Sequence, residues 1–406
     1  MADFARSTHP GVQAQLDRLS MTSPLGDRLG LERIAALLDR LGRPQDMLPP
    51  VFHVAGTNGK GSTVAFLRAG IEAAGLTVHA FTSPHLVRFN ERIRVAGQLI
   101  EDDPLEALLA EVIGAGEGIE PSFFEVAAAT AILAFARTPA DAVILEVGLG
   151  GRLDATNVIE LPAVCGIASI GLDHQQHLGD SLAEIAAEKA AIARRGVPLV
   201  SLAQAREAET AIVRVAEAAG APLLLEGRDW TANPSLVPVL PGAHQVRNAN
   251  LAWQMLAAQS AIKVPRTAFL KGLATARWPA RFQPLGDGPL TNGIATWVDG
   301  AHNGDAAAAL AAHLRAVGPM HLVLGILANK DSGEIVALLQ PHAFSLTFVP
   351  VPEHEHHDPA RLAEQFGGRA AANLTEALST LPAPRLIAGS LYLAGEALAL
   401  NREQPD

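Results

Sequence analysis

Lys60 stands among glycines in Gly56-Thr57-Asn58-Gly59-Lys60-Gly61-Ser62, directly after the apolar run Val51-Phe-His-Val-Ala55. An amine, a hydroxyl and glycine-flanked amides in so short a stretch suit the binding of a polyphosphate. Glycines let backbone N–H groups approach an anion, and the start of a helix adds a favourable field. Val64, Ala65, Phe66, Leu67 and Ile71 then recur at helical spacing. Lys60 would reach the outer phosphates, and the Ser62 hydroxyl would take a magnesium ion. The spacing departs from the common GxxxxGK[ST] form, because Gly61 separates the lysine from the serine.

Three further groups could join this chemistry. Glu146 interrupts the apolar run Ala142-Val-Ile-Leu-Glu-Val147, and a carboxylate there must be paired or bound to a metal. It is either an ion-pair partner of Arg152 or Lys60, or a magnesium ligand, since hard cations choose oxygen donors. His174, in Ile170-Gly-Leu-Asp-His174, is a candidate ligand or else the cap of the helix that follows Gly179. Lys189 shares a helical face with Leu182, Ile185, Ala186, Ile192 and Ala193. Either it snorkels outward, or it is held inside as a neutral amine. A neutral amine can react with carbon dioxide to give a carbamate, which ligates metal as a carboxylate does.

These groups need elements to position them. Helical periodicity covers 11–40, 103–113 and 123–137, and strand-like runs cover 76–82, 142–147 and 162–170. Residues 89–95 read as irregular or extended. Strands alternating with helices predict a mostly parallel sheet covered on both faces. Ligands bind outside the carboxyl ends of such strands, where Gly56–Ser62, Thr82-Ser-Pro-His85, Glu146 and Asp173-His174 fall. A Pro- and Gly-rich stretch at 278–293 marks a boundary. Beyond it, strands are expected near 294–299, 321–325, 345–349 and 385–388. The expected fold is α/β in two domains: a P-loop domain, 1–283, with a mostly parallel sheet and flanking helices, and a smaller Rossmann-like α/β domain, 284–406.

Composition sets limits. The net charge of −11 argues against a nucleic-acid partner. Cys165 is the only cysteine, so no internal disulfide forms and a reducing compartment is expected. The N-terminus has no apolar signal core and no apolar run is long enough to span a bilayer. A cytoplasmic protein without a membrane partner is expected.

Taken in order, these stretches resemble the folylpolyglutamate synthase/dihydrofolate synthase family, the folate branch of the Mur ligase superfamily. The likeness rests on Asp27-Arg-Leu-Gly-Leu-Glu-Arg33, on His53 to Ser62, on Thr82-Ser-Pro-His-Leu86 and on Asn90-Glu-Arg-Ile93. It continues through Phe124-Glu125, Glu146-Val-Gly-Leu-Gly-Gly-Arg-Leu-Asp-Ala-Thr-Asn157, Ile170 to His174 and Glu188-Lys-Ala190. It ends with His244-Gln245, Asn248-Ala249, Asp299-Gly-Ala-His-Asn303 and Gly389-Ser-Leu-Tyr-Leu-Ala-Gly-Glu396. The resemblance implies an ATP-dependent ligase that joins glutamate to a pterin-bearing carboxylate through an acyl phosphate.

It further implies ATP as a substrate and two magnesium ions. One would be held by Ser62 and Glu146, the other by Glu146, His174 and carbamylated Lys189. Asn248, Arg281 and Asp299 would serve the nucleotide together with Gly56 to Ser62, and His302 would lie near the reacting centre. Thr82, Ser83, Pro84, His85, Phe124 and Arg152 would lie on the folate side. The implied partners are dihydropteroate, tetrahydrofolate, L-glutamate and ATP, and a monomer is expected. Ala280, Gly304, Ala191 and Asn329 replace glycine, proline, glycine and aspartate of the family pattern. A Mur-type ligase acting on a UDP-linked peptidoglycan precursor and a non-ligating P-loop nucleotide switch are the alternatives. The His354-Glu-His-His357 run is read as a solvated loop.

Overall fold

The computed structural model describes residues 5–22 and 29–405. The chain divides into two compact units, Met1–Val239 with Gln245–Ala276, and Leu240–His244 with Arg277–Asp406. The division expected at 283/284 thus falls after Ala276, and a short earlier segment joins the second unit. The reason lies in the contacts of the intervening residues. The Phe282 amide donates to Asp299, and its ring packs on Trp297 and His313. Proline and glycine mark where the chain is irregular, whereas packing decides which unit it joins.

The first unit is built on eight strands: β1 Val51–Ala55, β2 Val78–Phe81, β3 Ile93–Val95, β4 Gln98–Leu99, β5 Ala142–Glu146, β6 Val164–Ile167, β7 Leu199–Ser201 and β8 Leu223–Leu225. Their order is β4-β3-β2-β5-β1-β6-β7-β8. Six pair in parallel, while β3 runs antiparallel to both of its neighbours, β2 and the edge strand β4. Every residue of β1, β5 and β6 is buried, which is why these runs are continuously apolar rather than alternating.

Helices cover both faces. The region expected as one helix over 11–40 forms two, α1 Pro10–Thr22 and α2 Glu32–Arg40. The sequence between them carries Pro24, Gly26 and Gly30, all poor helix formers. Asp27 and Arg28 of the quoted motif lie outside the described residues. Next come α3 Lys60–Ala73, α4 Asp102–Ala115 and α5 Phe123–Arg137. Residues 89–95 resolve into a 3₁₀ turn, Phe89–Arg92, followed by β3. Ser122 sets the start of α5: its hydroxyl accepts from the Glu125 amide while the Glu125 carboxylate accepts from the Ser122 amide. Among the described residues no helix is long and apolar enough to cross a membrane.

The second unit has strands β9 Gln283–Pro284, β10 Thr296–Val298, β11 Met320–Leu324, β12 Ala343–Phe348, β13 Arg369–Ala370 and β14 Arg385–Ala388. Their order is β13-β12-β11-β14-β10-β9, parallel except for β9. Arg385 lies buried in this sheet. Its guanidinium donates to the Thr296 hydroxyl and to the carbonyls of Leu378, Thr291 and Ile294. These bonds tie the start of β14 to the segments around it. Arg385→Met is expected to lower unfolding free energy by about 3 kcal/mol, because charge-assisted bonds are lost and carbonyls are left dry. Urea denaturation measures it; a loss under about 1 kcal/mol, the worth of one neutral hydrogen bond, would mean that water replaces the side chain.

Candidate active site

Strand order decides what meets. β1 lies between β5 and β6, so the residues leaving those three strands share one end of the sheet. Val54 of β1 is level with Glu146 of β5, and Ala55 with Ile167 of β6. The glycine loop therefore emerges beside Glu146 on one side and the path to Asp173 and His174 on the other. That is the position at which open α/β sheets bind ligands.

The loop is tied down on the β6 side. The amides of Thr57 and Asn58 both donate to the Ser169 carbonyl. The Thr57 hydroxyl exchanges hydrogen bonds with the Gly171 backbone, at 3.1 Å in each direction. Gly56 has φ +150°, and a Cβ there would lie 2.8 Å from that of Ala168, so only glycine fits this crossing. The first helical bond of α3 runs from Thr63 N to Gly59 O. The amides of Lys60, Gly61 and Ser62 thus precede the hydrogen-bonded ladder, as an anion site at a helix N-terminus requires. Asn248 of helix Ala243–Ala258 stands over the same turn, its Oδ1 2.5 Å from where a Gly59 Cβ would be.

Two amines converge on one carbonyl. Lys60 Nζ donates to Gly56 O at 3.0 Å and to Thr57 O at 3.2 Å. Lys189 Nζ donates to the same Gly56 O at 3.1 Å. Lys189 is 4% exposed, so it does not snorkel outward. It lies on α7, Leu182–Ala190, whose buried face also carries Ile185, Ala186 and Ala190. Ser181 and Glu184 cap that helix reciprocally. Burial, and then the charge of Lys60, pull the Lys189 amine down to about 7, against opposing pulls from Asp173 and Asp154. A substantial share of it is neutral at physiological pH.

Glu146 is 3% exposed, and its Oε2 lies 3.4 Å from the Ser83 amide. The ion pair with Arg152 does not form: Arg152 is largely exposed and pairs with Glu188 at 2.9 Å. Arg152 is accordingly set beside α7. The other residues expected on the folate side have the following partners. Ser83 reaches Glu146, Phe124 packs on Phe81 with ring centroids 5.7 Å apart, and Gly148 abuts the Phe124 ring. Thr82 bonds to the backbone of Arg92 and Glu91. Ser83-Pro84 is a cis peptide, and His85 Nδ1 accepts from the buried Arg92 guanidinium at 2.8 Å. A methyl at position 148 would sit 2.3 Å from Phe124 Cζ. Gly148→Ala is therefore expected to displace that ring and, on the folate side that the resemblance implies, to raise the KM of a pterin-bearing substrate about tenfold, the size of effect a badly packed hydrophobic contact gives. The KM of ATP should stay within about twofold; equal rises in both would place the damage elsewhere.

His174 has a left-handed φ of 52° and leads into the short helix α6, Gln175–Leu178. It does not cap the helix after Gly179, which Ser181 caps. In the second unit, Asp299 is half-buried, with its two oxygens accepting from the amides of Phe282 and Ala301. Burial raises its carboxyl above the usual range, against the opposing charge of Arg281. His302 Nδ1 donates to Gly300 O at 2.8 Å. Asn303 caps helix Gly304–Val317. Ala280 has φ +54°, the left-handed region in which glycine is at ease. The three histidines of the run 354–357 are half-buried, while Glu355 is exposed. His354 stacks on Tyr392, and the rings of His354, His356 and His357 bond to backbone carbonyls. Among the described residues no group of three His, Cys, Asp or Glu side chains is gathered to hold a metal.

Sequence reasoning gave no role to Asp154, Thr156, His53 or Asp173. Asp154 and Asp173 act on Lys189, and both stood inside quoted motifs, which was the available signal. His53 Nε2 meets Thr156 Oγ1 at 2.8 Å, and nothing in the spacing announces that pair.

Residues 280–390 match the family model described as Mur ligase, glutamate ligase domain. The chain is 36% identical over 356 residues to the dihydrofolate synthase/folylpolyglutamate synthase of Bacillus subtilis, covering 80% of this chain and 81% of that protein. It is 34% identical over 412 residues to a probable bifunctional folylpolyglutamate synthase/dihydropteroate synthase of Halobacterium salinarum, covering 92% of this chain. That relative is longer, and the chain spans about half of its length, 49%. The structure of Escherichia coli FolC in complex with DHPP and ADP superposes with a TM-score of 0.85 at 31% identity, covering 95% of this chain and 97% of that one. A Yersinia pestis folylpolyglutamate synthase/dihydrofolate synthase, complexed with AMPPNP and Mn ion, gives 0.86 at 30% identity, covering 97% and 98%.

Proposed function

Because the chain belongs to the folylpolyglutamate synthase/dihydrofolate synthase family, we propose that it joins L-glutamate to dihydropteroate and to tetrahydrofolate, using ATP. The observation that carries this reading is the convergence of Lys60 and Lys189 on the Gly56 carbonyl, at the head of a phosphate-type loop and level with Glu146. The γ-phosphoryl group passes from ATP to the carboxylate of the pterin substrate, leaving ADP and an acyl phosphate. The amine of glutamate then attacks the acyl carbon. Phosphate leaves with the electrons of the carbon–oxygen bond, and the amine gives up its proton.

The residues present fit divalent metal. Ser62 and Glu146 are buried oxygen donors, and a carbamate on Lys189 would be a third, as a hard cation prefers. Ser62 and Glu146 would hold one magnesium ion; Glu146, His174 and carbamylated Lys189 would hold a second. When bound, magnesium neutralises charge on the transferring phosphoryl group. Lys60 and the first amides of α3 hold the phosphate oxygens. Ser83, Phe124 and the Thr82–His85 turn flank the pterin substrate, and Asn248 serves the nucleotide; for Arg281 and Asp299 the family resemblance alone supports that role. For His302 the family resemblance alone supports a place near the reacting centre.

The test is product formation by purified protein with ATP, magnesium and L-glutamate, offering dihydropteroate and tetrahydrofolate separately. Product from both supports a bifunctional ligase; product from one alone restricts the reading to that activity. ATP binding with no product from either would overturn it.

A further inference from the structure

The turn Val147-Gly-Leu-Gly-Gly-Arg152 begins one residue after Glu146 and touches both neighbouring parts of the site. Gly148 lies against Phe124. Gly151 lies against α7, where an added Cβ would be 2.7 Å from Glu188 O and 2.9 Å from Lys189 O. Arg152 N donates to Glu188 O at 2.9 Å. The spacing between Glu146 and Lys189 is therefore transmitted through this turn.

Asp154 holds the turn. Its Oδ2 accepts from the amides of Gly148 at 3.0 Å and Leu149 at 2.9 Å. Its Oδ1 accepts from the Thr156 amide at 2.9 Å and the Thr156 hydroxyl at 2.5 Å. With the hydroxyl proton committed to Asp154, Thr156 Oγ1 can only accept from His53 Nε2. His53 is 1% exposed, in the middle of β1. Burial pushes its imidazole down to about 3, so the ring is neutral and donates without bringing a charge. A fixed order of donors thus runs from β1 through Thr156 to Asp154 and the turn after β5.

We propose that His53 and Thr156 are positioning residues for the ligation: by orienting Asp154 they fix the turn at 148–151, and with it the separation of Glu146 and Lys189 as metal-binding groups. The proposal rests on the ligase reading above. Outer partners of metal ligands commonly change metal affinity by about 10- to 100-fold.

The experiment titrates Mn²⁺ into the full chain with a nonhydrolysable ATP analogue, following free Mn²⁺ by electron paramagnetic resonance. Ligase kinetics and melting are measured on the same samples. Thr156→Val is expected to weaken Mn²⁺ binding about tenfold or more and to lower kcat by a similar factor, with the KM of ATP within about twofold. Thr156→Ser, which keeps the hydroxyl, should restore both. The double variant His53→Leu with Thr156→Val leaves no buried donor unpaired, so it should melt no lower than Thr156→Val yet keep the metal defect. Unchanged Mn²⁺ affinity in Thr156→Val would overturn the proposal, as would affinity that recovers with melting in the double variant. Should Thr156→Val fail to fold, His53→Gln, whose amide supplies an N–H at similar reach, must retain affinity where His53→Leu loses it. Wild-type protein that binds Mn²⁺ but makes no product would sink the ligase reading, while the titration still decides on the positioning pair.

Discussion

Lys189→Ala is expected to lower kcat by roughly 10²- to 10³-fold, the scale on which removing one preorganised electrostatic group acts, with millimolar formate or acetate restoring part of the loss. The argument starts from burial. A primary amine enclosed beside Lys60 is disfavoured as a cation, and at about 7 its pKa leaves neutral nitrogen at working pH. Neutral nitrogen forms a carbamate with carbon dioxide, and a small carboxylate can occupy the space that alanine vacates. Turnover equal to wild type, or a loss that no carboxylate relieves, would remove the carbamate from the mechanism.

The same group has a consequence for stability. Its folded pKa lies below the ordinary value of 10.5, so between about 7 and 10.5 the unfolded chain carries a proton that the folded chain lacks. The lysine's contribution to stability therefore rises with pH across that window, and below about 7 the cost of burying the charge is borne in full. Urea melts at several pH values should show this rise in carbon dioxide-free wild type, and its disappearance in Lys189→Met.

Lys60→Ala is expected to lower kcat/KM for ATP by about 10²-fold or more, since a cation on the outer phosphates is lost where charge develops. Folding should change by no more than about 0.5 kcal/mol, because the half-buried side chain bonds only to carbonyls of its own loop. The variant also removes the like charge that helps depress Lys189. The acidic limb of any residual activity should then move to higher pH, as the Lys189 amine becomes harder to deprotonate. A pH profile that keeps its position while kcat/KM falls would uncouple the two amines. A collapsed melting transition would instead give Lys60 a structural role.

Much of this was legible in the chain. The strand, loop and helix around Lys60, the bounds of α5 and β14, and the alternation of strands with helices all follow from apolar periodicity and the glycine turn. Glu146 and Lys189 stood out because a charge within an apolar pattern needs a reason. What escaped was long-range and polar. Nothing in the spacing announced that Arg152 pairs with Glu188, 36 positions on. The Asp154 relay joins residues 103 positions apart, from 53 to 156, and a threonine and a histidine inside strand and turn signals look ordinary. The 11–40 region erred the other way: apolar spacing carried the helix reading across residues whose backbone preferences oppose it.

The placement of β1 between β5 and β6 bears on the order in which the protein can be made. β1 ends at residue 55, but both hydrogen-bonded neighbours come from residues 142–146 and 164–167. A nascent chain on the ribosome thus holds a complete glycine loop long before it holds the strands that support it. Such non-local pairings carry a high loop-closure cost. A stalled chain exposing only the first 140 residues should fail to retain nucleotide, and retention should begin once synthesis passes β6 by enough residues to clear the exit tunnel. During that interval the unpaired edges of β1 are exposed, which makes the growing chain a natural client of holding chaperones.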